Sequence, residues 1–215
     1  MAAEGIKKTV SGPPIFASIR IEFRISHSSL RCHRMADPLK TPKNIILIGF
    51  MGSGKSSIAR ELSHTLEYPV VDTDNLIVER AGKPIRKIFE QDGEEAFRDL
   101  EEDTLRNLEA SRPSRLIIAT GGGVIGRPQN CEILRRLGFV VWLVVSVEEI
   151  IKRTSKSRER PLLNKKDQRG TIDRLLLERR ELYRATAHQA VETDGLTFPE
   201  ITTGILESAR YFFAR

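Results

Sequence analysis

One eight-residue stretch restricts this chain more than any other: Gly49-Phe50-Met51-Gly52-Ser53-Gly54-Lys55-Ser56. It fits G-x-x-x-x-G-K-[ST], and its flanks supply the context that the pattern requires. Before it runs Asn44-Ile45-Ile46-Leu47-Ile48, an unbroken apolar stretch that predicts a buried parallel strand. After it, Ile58, Leu62 and Leu66 recur every four residues and predict one apolar helix face. Glycines at the turn let the backbone wrap an anion, with successive N–H groups and a helix N-terminus directed at it. Lys55 is then placed for the β- and γ-phosphates of a nucleoside triphosphate, and the Ser56 hydroxyl for Mg²⁺. A plain glycine turn between strand and helix is the competing reading, and the flanks disfavour it.

The rest of the chain repeats this alternation. Val70-Val71, Leu116–Ala119, Phe139–Val144 and Gln189–Val191 predict further short strands. Helical periods separate them, at about 75–81, 94–110, 128–137, 147–154, 171–186 and 199–213. Such an order implies an α/β fold, a parallel sheet covered on both faces with ligands at the carboxyl ends of the strands. Residues 1–43 have another character, with Pro13-Pro14, a Ser-His-Ser-Ser run and scattered arginines. They predict a disordered extension, an over-extended start or a targeting segment. Residues 1–34 hold six basic and two acidic side chains, so they carry +4 of the formal +6. The remaining 181 residues are near balance and give no argument for nucleic acid. Cys32 and Cys131 are the only cysteines, which speaks against a disulfide framework or a Cys-based metal site. No apolar run reaches membrane-spanning length.

Three motifs fall at or just beyond predicted strand ends. Asp72-Thr73-Asp74 follows the second strand. One carboxylate can hold Mg²⁺ through water while the other accepts a hydroxyl proton, or Asp74 simply caps the next helix. In Gly93-Glu94-Glu95-Ala96-Phe97-Arg98-Asp99-Leu100-Glu101, Arg98 and Glu101 share a helix face. They form either a surface ion pair or an oriented guanidinium fork for a carboxylate or phosphate. Gly121, Gly122 and Gly123 follow Thr120 after the third strand, a run whose entropy cost suggests close approach of a ligand to bare backbone. Residues 152–169 hold eight basic and two acidic side chains around Arg160-Pro161-Leu162-Leu163. No aromatic residue lies there for a base to stack on, and a lid carrying an arginine to the triphosphate fits the position. Arg179 follows on a helix, as a solvated residue or a second anion ligand.

Taken together, G-F-M-G-S-G-K-S, D-T-D, G-E-E-A-F-R-D-L-E, T-G-G-G, R-P-L-L and E-R-R-E-L-Y, in that order and spacing, resemble the shikimate kinase family over residues 44 to about 213. The resemblance implies a three-layer P-loop kinase fold with a five-stranded parallel sheet, order 2-3-1-4-5, and a mobile lid at about 155–169. It implies transfer of the γ-phosphoryl of ATP to the 3-hydroxyl of shikimate, on the route to chorismate and the aromatic amino acids, with Mg²⁺ as cofactor. Gly52, Ser53, Gly54, Lys55, Ser56 and Ser57 would cradle the triphosphate, Arg160 would reach its phosphates and Arg153 would lie near the adenine. Ser56, and Asp72 through water, would hold the metal. Asp74 would be the base, Arg98 and Arg179 would bind the shikimate carboxylate, and Gly121 to Gly123 would meet the substrate with backbone. Lys55, Asp74 and Arg160 are the catalytic set so implied. A cytoplasmic monomer with no nucleic-acid or membrane partner is expected, with plastid targeting by the extension left open. Two rivals share the P-loop: a kinase of gluconate or nucleoside monophosphates, and a non-catalytic nucleotide-binding protein.

Overall fold

A computed structural model describes residues 44–154 and 167–214. Its centre is a sheet of five parallel strands in the order β2-β3-β1-β4-β5. The strands are β1 (Asn44–Ile48), β2 (Val70–Asp72), β3 (Leu116–Ala119), β4 (Phe139–Val144) and β5 (Gln189–Glu192). The helices are α1 (Lys55–Leu66), α2 (Thr73–Ala81), α3 (Ile85–Gln91), α4 (Gly93–Ala110), α5 (Pro128–Leu137), α6 (Val147–Thr154), α7 (Gln168–Thr186) and α8 (Phe198–Phe213). A 3₁₀ turn at Val124–Gly126 joins β3 to α5.

The unbroken apolar run in β1 has a direct cause: the strand lies mid-sheet and is buried along its whole length. Successive side chains point to opposite faces. Ile45 and Leu47 pack with Ile58 and Leu62 of α1 and with Ile201 and Ile205 of α8. Ile46 and Ile48 pack on the other side with Leu105 and Leu108 of α4 and with Ile133 and Leu134 of α5. One strand therefore nails two layers of helices to the sheet.

Asn44 fixes the strand's lower end. Its amide donates to the carbonyls of Pro113 (2.9 Å) and Leu137 (2.8 Å) and accepts the Leu116 N–H (3.1 Å). One buried side chain thus ties β1, β3 and the end of α5 together, and satisfies backbone groups that would otherwise be orphaned.

Two elements were not foreseen from the sequence, α3 and the 3₁₀ turn. Ile88 of α3 packs with Ile77 of α2 and Phe97 of α4 in a small core of its own, beside the main sheet. Boundaries also move. The helix after β2 begins at Thr73, not Asn75, because Asp72 is the N-cap and accepts the Asp74 N–H (3.0 Å). Asp74, the cap expected from the sequence, instead lies in the first turn. Helix α7 begins at Gln168, because the Asp167 side chain caps it through the Gly170 N–H (2.8 Å). The N-cap Asp167 and the first helical residues, Gln168 and Arg169, are the described part of the span assigned to the lid at about 155–169. The remainder of that lid, 155–166, lies outside the described residues, as does the extension 1–43. Among the described residues no helix is long and apolar enough to cross a membrane.

Candidate active site

The carboxyl ends of β1, β2 and β3 open onto one cleft of about 1270 Å³. Single-ligand pockets are commonly about 300–1,000 Å³, so this one has room for two reactants. The loop 49–54 lines one part of it, and Asp74, Arg98, Glu101, Gly121 to Gly123 and Arg179 line another.

The phosphate loop owes its shape to its glycines. Gly52 and Gly54 have φ of 82° and 92°, a region side chains avoid. Gly49, at φ 145°, also lies against the sheet, where a Cβ would sit 2.7 Å from the Leu143 carbonyl oxygen. Gly54 is the N-cap of α1. That helix end has no side-chain cap and no acidic residue in its first turn, whereas the N-terminus of α2 is capped by Asp72 and that of α8 by Thr197 with Glu200. Its first N–H groups are thereby left for an anion. Lys55 folds over the loop, donating from Nζ to the carbonyls of Gly49 (2.8 Å) and Phe50 (2.9 Å). Ser56 Oγ lies 3.5 Å from Asp72 Oδ2. Asp72 therefore serves as helix cap with one oxygen and faces Ser56 with the other.

Arg153, on α6, reaches the same loop: Nε pairs with Glu149 (2.8 Å) and Nη1 donates to the Gly52 carbonyl (3.3 Å). Ser53 is buried, and Ser57 lines the cleft beside Ser56. Arg160, assigned from the sequence to the phosphates, lies outside the described residues.

In the other half, helix α4 presents Glu94, Arg98 and Glu101 along one face. Arg98 Nη1 meets Glu101 at 2.5 Å and Nη2 meets Glu94 at 2.8 Å. This is no solvated surface pair: the Arg98 side chain is 12% exposed and that of Glu101 is 2% exposed. Burial opposes the charge on Arg98, yet the Glu101 carboxylate beside it prevails and raises the guanidinium above its ordinary value. Burial pushes the Glu101 carboxyl up, against the pull of Arg98, and the nearby Asp74 carboxylate adds to the rise. The adjacent face of α4 carries Glu95, Asp99 and Glu102, all three paired with Arg127 (2.9, 2.8 and 3.1 Å). Arg127 follows the 3₁₀ turn, so it clamps α4 against the chain that leads from the glycine run.

Each glycine of that run has its own neighbour. A Cβ on Gly121 would lie 2.7 Å from Asp74 Oδ1 and 2.9 Å from Glu101 Oε1. On Gly122 it would lie 3.0 Å from the Met51 nitrogen, in the phosphate loop. On Gly123 it would lie 2.8 Å from Arg98 Cζ and Nη2, with Nη1 closer still. Ligand approach was the reason suggested by the sequence; Asp74, Glu101, Arg98 and the phosphate loop, all closer, are a nearer one. From α7, Arg179 Nη1 reaches the Gly122 carbonyl (3.3 Å) and its guanidinium lies 6.0 Å from the Phe50 ring centroid.

The fold therefore gathers the phosphate loop, Asp72, Asp74, Arg98, the three glycines, Arg153 and Arg179 around one cleft. Sequence reasoning missed the contribution of α3, whose Ile85, Lys87 and Phe89 line the cleft. Phe89 packs on Phe97, next to Arg98, at 4.7 Å between centroids. It also missed Tyr183, whose hydroxyl donates to the Gly122 carbonyl at 2.5 Å.

Comparison with known proteins agrees with this geometry. The family model described as shikimate kinase matches residues 51–210. The shikimate kinase of Thioalkalivibrio sulfidiphilus is 41% identical over 169 residues, covering 79% of this chain and 86% of the relative. That of Francisella tularensis subsp. novicida is 39% identical over 163 residues, covering 76% and 92%. Among solved structures, the shikimate kinase of Acinetobacter baumannii in complex with shikimate superposes with a TM-score of 0.74 at 36% identity, covering 79% of this chain and 94% of that one. The Aquifex aeolicus enzyme gives 0.64 at 32% identity, covering 79% and 97%. The sheet order 2-3-1-4-5, the cleft at the strand ends and the match over most of the chain lead to one conclusion: this chain belongs to the shikimate kinase family.

Proposed function

We propose that this chain transfers the γ-phosphoryl group of ATP to the 3-hydroxyl of shikimate, giving shikimate 3-phosphate and ADP. The observation that carries the reading is the junction of two unlike half-sites in one cleft. An uncapped helix N-terminus with Lys55 suits a triphosphate. Asp74, Arg98 and Arg179 around bare glycine backbone suit a small polyhydroxylated carboxylic acid.

The chemistry follows from these groups. The 3-hydroxyl oxygen attacks the γ-phosphorus, the bond to the β–γ bridging oxygen breaks, and ADP leaves. Asp74 accepts the proton released by the hydroxyl or orients it towards the phosphorus. Arg98, held by Glu101 and Glu94, and Arg179 grip the acceptor's carboxylate, fixing the hydroxyl in line with the donor. Lys55 moves from the loop carbonyls to the β- and γ-phosphates and stabilises the charge that leaves with ADP.

The residues present fit Mg²⁺. Ser56 and Asp72 offer hard oxygen atoms 3.5 Å apart beside the phosphate loop, and no cluster of three or more metal-binding side chains competes among the described residues. Such a pair suits an ion that keeps most of its waters and arrives with a triphosphate. Ser56 would bind it directly and Asp72 through water; when bound, it neutralises phosphate charge. Arg153 is assigned to the adenine side of the loop. The same reading takes the enzyme as a cytoplasmic monomer acting on two small molecules.

An ADP-release assay with shikimate, gluconate and nucleoside monophosphates side by side tests the assignment. Shikimate alone should support turnover. Release with gluconate or a nucleoside monophosphate instead would replace the acceptor, and ATP binding without acceptor-dependent release would make the chain a nucleotide-binding protein.

A further inference from the structure

Gly122 is the point where three parts of the cleft meet. On one side its Cα faces the phosphate loop, with the Met51 nitrogen 3.0 Å and the Gly49 carbonyl oxygen 3.5 Å from where a Cβ would stand. On the other, its carbonyl accepts two donors from α7: Tyr183 Oη at 2.5 Å and Arg179 Nη1 at 3.3 Å. The two residues are four apart and so share a helix face.

Tyr183 is completely buried, and its ring stacks on Trp142 of β4 with centroids 5.6 Å apart and planes 13° from parallel. A large aromatic clamped on the sheet has little freedom, so its hydroxyl is a fixed donor. Burial raises the phenol above its ordinary range, which keeps the proton on it at every working pH.

The unequal distances divide the labour. The short bond from Tyr183 satisfies the Gly122 carbonyl; the long one from Arg179 adds little to it. We propose that Tyr183 is a positioning residue, whose hydroxyl occupies the Gly122 carbonyl so that the Arg179 guanidinium stays directed at the carboxylate of the acceptor. Without the hydroxyl, the part-buried carbonyl retains Arg179 as its α7 donor, and closing that long bond in place of the lost short one draws the guanidinium onto the backbone. The fork then meets the substrate's carboxylate at a poorer angle. This inference rests on the reading of Arg179 as an acceptor ligand.

The test is Tyr183→Phe, which keeps the ring and its stacking on Trp142. Steady-state kinetics should show the KM for shikimate raised about three- to tenfold, the range of a lost hydrogen bond. The KM for ATP and the thermal midpoint should stay near those of the unmodified protein. With shikimate carboxamide, which lacks the charge that Arg179 would grip, the two proteins should perform alike. Tyr183→p-aminophenylalanine, which restores a donor, should recover most of the lost affinity. An equal penalty on the carboxamide, or a fall in kcat with the shikimate KM unmoved, would overturn the role of Tyr183 alone. Absence of shikimate-dependent turnover in the unmodified protein would overturn the proposed function together with it.

Discussion

Gly123→Ala offers a sharp perturbation of the acceptor half-site, because its steric effect has a single address. Gly123 has φ −104° and ψ −1°, which alanine adopts without strain. The added methyl would stand 2.8 Å from Arg98 Cζ and Nη2, and closer to Nη1, where ordinary contact begins at 3.4 Å. The guanidinium must therefore withdraw by more than about 0.6 Å, the shortfall at Cζ and Nη2, because Nη1 stands closer still. It sits at the far end of a flexible side chain, so movement is easier than distortion of the backbone. Withdrawal weakens the Arg98–Glu101 pairing and spoils the fork offered to the acceptor. A charge-assisted hydrogen bond is worth about 1.5–3 kcal/mol, which corresponds to a loss of about 10- to 100-fold in acceptor affinity at 1.4 kcal/mol per tenfold. Calorimetric titration with shikimate and, separately, with a non-hydrolysable ATP analogue would measure it. The expected outcome is weakened shikimate binding and, because the buried pair is loosened, a lowered thermal midpoint, with ATP-analogue binding nearly unchanged. Equal weakening of both ligands, or none, would refute the reasoning, because the methyl would then not be acting through Arg98.

Asp74→Asn should lower kcat by about 10²–10⁴-fold, the usual range for loss of general-base catalysis, with modest change in either KM; a loss below about fivefold would leave Asp74 no role in proton transfer. Chelation of divalent cations should abolish ADP release, and Ser56→Ala should raise the Mg²⁺ concentration needed for half-maximal rate; an unchanged Mg²⁺ requirement would remove Ser56 from the metal. His188 supplies a pH signature remote from the chemistry. Its Nδ1 accepts the Val140 N–H at 2.9 Å, and burial, with Arg135 nearby, lowers its pKa from the ordinary 6.5. The unfolded chain therefore binds a proton more readily than the folded one. The stability this gives is present above about pH 6.5 and is lost as pH falls towards the lower, folded-state value. Urea titrations at several pH values should show that slope, and His188→Gln should flatten it; an identical slope in both proteins would contradict the assignment.

Much of the site was legible in the sequence because strand, phosphate loop and helix are contiguous, and because a wholly buried strand must be wholly apolar. The Arg98–Glu101 pair was legible as a helix-face spacing, but its burial was not, since burial depends on the glycine run arriving from β3. The run itself shows why function and packing are hard to separate by reading alone. Three glycines indicate close approach, yet nothing in them says that Asp74 and Glu101, the phosphate loop and Arg98 are the three approaching partners. Helix α3 escaped notice because its seven residues, between Pro84 and Asp92, fall short of the window over which a 3.6-residue period stands out. The cap at Asp72 was misplaced by two residues because both aspartates are good caps, and only the strand's end decides between them. Tyr183 was legible only as the last letter of E-R-R-E-L-Y: an aromatic at helical spacing reads as core, which it is, and only its hydroxyl's target makes it more.

The claim that unites these observations is that one cleft holds ATP against the 3-hydroxyl of shikimate. Phosphorus–proton correlation NMR of the product formed from ATP and shikimate tests it most directly. The account predicts one new phosphomonoester whose phosphorus couples to the proton on carbon 3, with ADP formed in equal amount. A phosphomonoester coupled to another ring proton, or ADP with no phosphorylated shikimate, would contradict it.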